Sequence, residues 1–248
     1  MTESILSENT AELQTPSVVD AIGAGVMILL AYVIPTIPVG LWAAPRILAA
    51  GGRIPPSLMA EMTRQALAWQ MLTYPLVFAT IWWFVRRNGG PKFFGLHTPT
   101  IRQLGYAMLA VVAMILVVDG TAAAMSAVGI KMGGDAKALL PNGSSSGYMT
   151  LVLIMGAILA PLAEEGAFRI IALRTMIPRM PLWLALAISS LMFAAAHLSV
   201  TTLLPLALGG VVLGLLYTKS RNGWLSIITH GTFNAVAIIS TIASVGPR

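Results

Sequence analysis

The sequence predicts an all-α polytopic membrane protein, with about seven transmembrane helices that enclose a polar cavity within the membrane. Of the 248 residues, 57% are hydrophobic and only 10% are charged, and the mean hydropathy is +0.83. Soluble chains carry about 25% charged residues, so this composition excludes a soluble globular protein. Uncharged apolar runs of about 20 residues, each long enough to cross a bilayer as a helix, recur along the chain.

The charge and the cysteine count exclude several other classes of function. No cysteine is present, which rules out disulfides, thiolate metal sites and a cysteine nucleophile. The net charge of +6 would suit a nucleic-acid-binding protein. In a membrane protein, however, basic residues in short loops are the ordinary orientation signal and face anionic lipid. We therefore expect the lipid bilayer, and no nucleic acid, as the partner of these charges.

The first half of the chain predicts a tail followed by apolar helices. Residues 1–17 are polar and acidic, without the basic start or the cleavage site of a signal peptide, and predict an exposed tail. Pro35 and Pro38 should kink or end the first apolar segment. Residues 18–128 are interpreted as the N-terminal group of transmembrane helices, in three segments: Val18–Trp42, Ala66–Val85 and Leu104–Val128.

Two ionisable residues in this half are weighed as functional candidates. Asp119 lies within the third segment, and an acid inside a membrane helix is a functional candidate by default. Gly120 and Thr121 follow it and would let water or a neighbouring helix satisfy the carboxylate. His97 lies in a basic, turn-rich loop and is interpreted as a solvated residue.

The second half predicts the catalytic core. Residues 129–147, rich in Gly, Pro, Asn and Ser, form the clearest loop and separate the two halves. Gly210 and Gly214 stand at the GxxxG spacing that suits close contact between membrane helices. Residues 148–244 are interpreted as a C-terminal transmembrane catalytic core with four segments: Tyr148–Met176, Pro181–Leu198, Val200–Thr218 and Trp224–Ala243.

Two adjacent carboxylates, Glu164 and Glu165, lie inside the first of these segments. One charge at bilayer depth costs about 2.5–3.5 kcal/mol on insertion scales, and like charges side by side disfavour each other's ionisation. Arg169 follows Glu165 by four residues, so the two share a helix face and can form an ion pair. Glu164 is then the carboxylate without a partner. Pro161 should bend the helix just before the pair and can open a cavity there.

Three further polar residues, His197, His230 and Asn234, lie in the later apolar segments. At 1.5 Å per residue, their depths are compatible with one cavity near the middle of the membrane. Individually, each has a structural interpretation as a hydrogen-bonding residue between helices. Together with the carboxylates, they predict a site that activates water.

The residues leave two forms of that site open. Glu164, His197 and His230 can act as the ligands of a zinc ion that keeps one position for water. Alternatively, Glu164 can act directly as the base that deprotonates the water. His230 and Asn234 share one helix face and would bind the metal or donate hydrogen bonds to the oxyanion.

The motifs resemble those of a known family. Glu164-Glu165-x-x-x-Arg169, Phe193-x-x-x-His197 and His230-x-x-x-Asn234 occur in this order on successive hydrophobic segments. The set resembles the signature of the CAAX-protease and bacteriocin-processing (Abi) family of intramembrane endopeptidases, over about residues 148–240. Ile170 stands where many members have glycine.

This resemblance implies a multi-span helical fold around a cavity that hydrolyses peptide bonds. It implies that Glu164 activates water, that Glu165 and Arg169 support it, and that His197, His230 and Asn234 complete the site. It is compatible with a metalloprotease and with a metal-free glutamate mechanism.

The sequence thus predicts an intramembrane endopeptidase that acts on a peptide or protein substrate reached from the membrane, by analogy a CAAX-type peptide with a lipid-modified carboxyl terminus. Two alternatives remain at this point: a non-catalytic scaffold or immunity protein of the same family, and a small proton-coupled transporter that uses Glu164 and Asp119. Because the chain has neither a cleavable leader nor a long extramembrane domain, we expect a multi-pass protein of a prokaryotic plasma (inner) membrane.

Overall fold

The computed structural model describes residues 15–34, 36–132, 140 and 144–245, and these residues form helices and no strands. The all-α prediction is therefore confirmed for them. Most of the predicted tail, Pro35 and most of the predicted loop 129–147 lie outside the described residues. The helices are α1 (Val18–Val33), α2 (Thr36–Ala49), α3 (Pro56–Arg87), α4 (Gly90–Phe93), α5 (Ile101–Ala127), α6 (Ser146–Met176), α7 (Leu182–Ala195), α8 (Leu203–Ser220) and α9 (Gly223–Val245).

The protein is a multi-pass membrane protein by the length and composition of its helices. Within the described part of the chain, five helical segments are long and apolar enough to span a bilayer: Val18–Ala49, Ile101–Ala127, Ser146–Met176, Leu203–Ser220 and Gly223–Ser244. Many of their large apolar side chains are exposed on the protein surface, as lipid contact requires.

The predicted number of seven spans is not confirmed. The segment Pro181–Leu198 forms α7, whose 14 residues reach only about 21 Å, against a hydrocarbon core of about 30 Å. The segment Ala66–Val85 lies within α3, which is long enough but is interrupted by polar residues such as Gln70 and Thr73.

Side-chain caps determine where several helices begin. The Ser17 hydroxyl accepts a hydrogen bond from the Asp20 backbone N–H at the start of α1. Thr100 and Gln103 form a reciprocal capping box at the start of α5. At the start of α6, the Ser145 hydroxyl accepts from the Tyr148 backbone N–H, so this helix begins slightly before the predicted residue.

The two glycines at GxxxG spacing bring α8 against α7. A Cβ atom on Gly210 would come within 2.9 Å of Ser190 Cβ, and one on Gly214 within 2.7 Å of Leu186 Cδ2. At position 210 the added atom would also meet the Ser190 backbone, so glycine is needed there for the observed separation of the two helices, whereas at position 214 the Leu186 side chain would have to shift. Because Gly210 faces the later residue of α7 and Gly214 the earlier one, the helices run antiparallel.

One apolar core is shared between the two halves of the chain. Buried residues of α1 and α3 pack in the same cluster as buried residues of α6. Gly166, which follows the carboxylate pair, has no room for a Cβ because Ile81 of α3 lies against it. The shared cluster contains Ala24, Ile28, Ala31, Tyr74, Val77, Phe84, Val85, Phe94, Met155, Ala163, Ile170 and Ile171.

Helix α6 is not a uniform α-helix around the carboxylates. A single α-helical turn, Ala160–Glu165, lies between two π-helical stretches, Met155–Leu159 and Gly166–Leu173. A further π-helical stretch, Ile115–Asp119, interrupts α5. Such stretches are rare and occur frequently at functional sites, because they reposition side chains and release backbone carbonyls.

Candidate active site

Glu165 and Arg169 form an ion pair that is fully enclosed by the protein. Both side chains are 0% exposed, and Arg169 Nη1 donates to Glu165 Oε1 over 2.8 Å. Arg169 Nη2 donates to the backbone O of Gly210 over 3.0 Å. The four-residue spacing predicts this pair. The contact with Gly210 ties the pair to α8 as well.

His230 connects α9 to the carboxylates of α6. Its Nδ1 lies 3.0 Å from Glu165 Oε1, and its Nε2 lies 3.8 Å from Glu164 Oε2. Glu165 can accept from the imidazole only when Nδ1 carries a proton, and this arrangement directs Nε2 towards Glu164. His230 is therefore oriented by one carboxylate and faces the other.

The two adjacent carboxylates have different surroundings. The Glu164 side chain is 21% exposed, whereas that of Glu165 is 0% exposed. Glu164 makes no hydrogen bond to another described residue, while Glu165 Oε1 accepts from both Arg169 and His230. Ser226 lies beside Glu165, but its hydroxyl donates to the backbone O of Gly223 over 3.0 Å.

Asn234 lies on the same face of α9 as His230 and contacts α6 about two turns before the carboxylates. Its Nδ2 donates to the backbone O of Gly156 over 2.9 Å. Pro161 has no N–H, so it cannot satisfy the carbonyls of Gly156 and Ala157, which lie five and four residues before it. A Cβ on Gly231 would overlap Ala157 O, so α9 approaches α6 where Pro161 has freed these two carbonyls.

His197 lies just beyond the end of α7 and is exposed. Its Nδ1 is 3.0 Å from the backbone O of Phe193. The Phe193 ring, buried at 2% exposure, has its centroid 5.0 Å from that of His197 and 5.6 Å from that of His230. The Arg169 guanidinium lies 4.7 Å above the same ring. Phe193 thus contacts both histidines.

Comparison with known proteins supports the resemblance that the motifs suggest. Residues 146–236 match the family model described as type II CAAX prenyl endopeptidase, Rce1-like. We call residues 146–236 the Rce1-like segment because they are similar to this family. The match begins at the first residue of α6 and ends within α9, so it includes all six predicted site residues. No match to the chain was found among curated proteins or among solved structures.

The three predicted zinc ligands are not brought together as one group. Among the described residues, no group of three His, Asp or Glu side chains is placed to hold a metal ion together. Glu164 Oε2 and His230 Nε2 lie 3.8 Å apart, but His197 does not join them in such a group. The residues therefore do not fit a zinc site built from Glu164, His197 and His230, and the metalloprotease form is not supported.

Two residues outside the Rce1-like segment also lie near the site, and neither belongs to a sequence motif. Tyr32 of α1 and Tyr74 of α3 lie within electrostatic range of the Glu164 carboxylate. Tyr74 belongs to the buried cluster that contains Ala163, and Tyr32 packs against that cluster. In a sequence, a tyrosine within an apolar helix looks like an ordinary core residue. Neither tyrosine was therefore predicted to lie at the site.

The remaining candidates, Asp119 and His97, lie elsewhere. Asp119 is exposed at the end of the π-helical stretch of α5, without an ion pair to another described residue. His97 is exposed, as expected of a loop histidine, and its Nε2 lies 3.3 Å from the backbone O of Arg221. The buried Asn222 side chain donates to the backbone O of His97 over 3.1 Å, so His97 belongs to a contact between the α4–α5 and α8–α9 loops.

Proposed function

We propose that this protein is an intramembrane endopeptidase that hydrolyses a peptide bond with a water molecule activated by Glu164. The Rce1-like match supports peptidase activity of the CAAX type. The assignment of Glu164 rests on the difference between two neighbouring acids. Glu165 is enclosed and its Oε1 accepts from Arg169 and His230, while Glu164 keeps accessible surface and accepts no hydrogen bond from another described residue.

The chemistry follows from these surroundings. Water bound at Glu164 attacks the carbonyl carbon of the substrate, and Glu164 takes one of its protons. When the carbon–nitrogen bond breaks, Glu164 returns this proton to the departing amine nitrogen. Glu164 thus acts first as a base and then as an acid, and it ends the cycle ionised as it began.

His230, Glu165 and Arg169 support this base. Glu165 fixes the ring of His230 so that Nε2 faces Glu164, and Arg169 balances the charge of Glu165. A buried carboxylate that orients a catalytic histidine through Nδ1 is a recurring arrangement in hydrolases. Without the Arg169 guanidinium, the Glu165 charge would be enclosed without a partner.

Asn234 and His197 take different roles. Asn234 uses an N–H of its amide on Gly156 O, so we assign it as a positioning residue that keeps α9 and His230 against α6. His197 is exposed and packs against the Phe193 ring. We therefore place it at the open side of the site, in contact with the substrate.

The proposed substrate is a membrane-associated peptide with a CAAX-type carboxyl terminus. This assignment rests on the family match. The position of the site within apolar helices suits a substrate that the bilayer itself presents. We propose a plasma (inner) membrane location. The transporter alternative needs Asp119 and Glu164 to act together, and no hydrogen bond or ion pair connects them within the described residues.

The proposal is tested with the purified full-length protein in lipid nanodiscs and a panel of fluorogenic CAAX peptides, farnesylated and unmodified. Glu164→Gln, which keeps the shape of the side chain and removes its basicity, should lower turnover by at least about 10³-fold. Glu61→Gln, a change of an acid paired with Arg64 away from the site, should leave turnover unchanged. Absence of cleavage by the parent, or equal cleavage by Glu164→Gln, would contradict the proposal.

A further inference from the structure

The connection between α7 and α8, residues 196–202, is the tip of a helical hairpin without charged side chains. No Asp, Glu, Lys or Arg occurs between Arg179, which precedes α7, and Lys219, near the end of α8. Because α7 and α8 run antiparallel, these two basic residues lie together at the base of the hairpin. Basic residues that flank apolar segments lie at the membrane surface. The base therefore marks one surface of the bilayer, and the tip is the part of the hairpin furthest from it.

The hairpin is too short to carry its tip clear of the opposite surface. The 14 residues of α7 rise about 21 Å. The 18 residues of α8 rise about 27 Å, and this length includes the last turn with Lys219. The hydrocarbon core is about 30 Å thick, and any tilt of the helices shortens their reach further. These lengths place the tip inside the hydrocarbon.

Polar and apolar residues alternate in the tip, and the apolar residues face outward. The sequence here is His197-Leu198-Ser199-Val200-Thr201. Leu198 is 93% exposed and Val200 is 89% exposed, whereas Ser199 and Thr201 are partly buried, with hydroxyl oxygens 3.4 Å apart. A loop in water favours the opposite arrangement, because large apolar side chains are unfavourable in contact with water. The observed arrangement suits a surrounding of hydrocarbon.

The backbone of Leu198 gives a second indication. Its φ of 52° lies in the left-handed region, where glycine is the usual residue and asparagine, aspartate and histidine are the common exceptions. Turns in water are normally built with such residues at this conformation. Packing inside the protein does not account for leucine here, because its side chain is almost fully exposed. Contact with lipid does account for it.

The tip also continues the exposed apolar surface of its two helices. Leu191 and Met192 are exposed near the end of α7, and Leu203 and Leu204 are exposed at the start of α8. These residues adjoin the tip on both sides along the chain, and no charged residue interrupts them. The same kind of partner therefore suits the helix ends and the tip.

We propose that the α7–α8 tip is embedded in the bilayer, where Leu198 and Val200 contact the acyl chains of the lipids. The hairpin then exposes no loop on the opposite side of the membrane. The partly buried side of the tip supplies polar partners for its irregular backbone, as membrane depth requires; there Thr202 Oγ1 donates to the backbone O of Ser199 over 3.4 Å. His197, which is exposed beside Leu198, then faces the bilayer and not bulk water. The inference does not depend on the proposed reaction.

The absence of cysteine from the chain allows a direct test of this depth. Leu198→Cys and Val200→Cys are each labelled with the fluorophore bimane and placed in lipid nanodiscs. Leu109→Cys is the control for hydrocarbon, because Leu109 is exposed in the apolar helix α5. Thr98→Cys is the control for water, because Thr98 is exposed in the loop before α5. Circular dichroism and the unfolding temperature establish that each labelled variant is folded.

Three quenchers then report the surroundings of each label. Lipids with a nitroxide on the acyl chain should quench the label at positions 198 and 200 as strongly as at position 109. Lipids with a nitroxide on the headgroup should quench these three positions less. Iodide, which stays in water, should cause a loss of fluorescence at position 98 and leave the other three positions unchanged.

Two results would overturn the proposal. Strong quenching at positions 198 and 200 by iodide or by the headgroup nitroxide would place the tip at or beyond the membrane surface. Weak quenching by all three reagents would show that protein, such as a second copy of the chain, covers the tip. If one of the two variants does not fold, the other is subject to the same expectations. No substrate is used, so a parent without peptidase activity would leave the result for the tip unchanged.

Discussion

His230 Nδ1 lies 3.0 Å from Glu165 Oε1, so a residue of α9 completes the surroundings of a carboxylate on α6. The two residues are 65 positions apart in the chain. Their contact links the first and the last motif of the Rce1-like segment and directs the free side of the imidazole at Glu164.

The ion pair predicts that the two adjacent glutamates differ in their effect on stability. Glu165→Gln leaves the fully enclosed Arg169 charge without its carboxylate, and breaking a buried pair in this way costs about 3–5 kcal/mol. Glu164→Gln changes a partly exposed side chain without a hydrogen bond, so it should alter the free energy of unfolding little. Unfolding in detergent measures both. Equal losses in the two variants would argue against the assignment of Glu165 as the structural partner.

His230 is predicted to be essential for turnover. His230→Gln removes the ring that faces Glu164, and loss of a positioned acid–base group lowers rates by about 10²–10⁴-fold. His97→Gln changes an exposed histidine in the loop contact near Asn222 and is the matched control. Cleavage rates of a CAAX peptide provide the measurement. If His97→Gln lowered turnover as much as His230→Gln, the loss would not report on the active site.

Substitutions at Asn234 and Pro161 are predicted to have non-additive effects on the free energy of unfolding. Asn234→Leu leaves the Gly156 carbonyl without its donor, which should cost about 1–3 kcal/mol of stability. Pro161→Ala restores a backbone N–H that can bond to a freed carbonyl of the same helix. The cost of Asn234→Leu should therefore be smaller in the Pro161→Ala background, as a double-mutant cycle of unfolding free energies would measure. Strictly additive effects would show that Asn234 does not act through the carbonyl that Pro161 frees.

Gly231 is predicted to set the distance between α9 and α6. A Cβ at this position overlaps the backbone O of Ala157, so Gly231→Ala must move α9, and His230 with it, away from Glu165. Overpacking of this kind costs about 1–3 kcal/mol, and turnover should fall as well. Gly25→Ala is the matched control, because no atom lies within 4 Å of the added methyl group. Unchanged stability and turnover in Gly231→Ala would refute the close approach.

Much of the site was predictable because its contacts follow local geometry. The Glu165–Arg169 pair follows from four-residue spacing on one helix, and the shared face of His230 and Asn234 follows from the same rule. The contact between His230 and Glu165 required a further assumption, a shared depth in the membrane, which sequence distances give only approximately. The apolar runs predicted an all-helical membrane fold, but hydropathy did not fix the number of spans, as the short α7 shows.

The remainder depends on tertiary contacts that leave no pattern in the sequence. The π-helical stretches of α6 arise where hydrogen bonds shift along the backbone, and donors from other helices, such as Asn234 and Ser189, bond to the released carbonyls. The position of His197, two residues beyond the last residue of α7, depends on how that helix ends. Tyr32 and Tyr74 could not be assigned because their distance from Glu164 is determined by the packing of α1 and α3 on α6.

The apolar core shared by α1, α3 and α6 has a consequence for how the protein is made and dissected. A chain that begins at residue 146 would contain every motif of the Rce1-like segment, yet it would lack Ile81 against Gly166 and the α1 and α3 members of the cluster that contains Ile170 and Ile171. We therefore expect that the segment that carries the family signature does not fold on its own. During synthesis, α1 and α3 are made before α6. Their side chains that pack against α6 therefore stay uncovered until α6 is inserted.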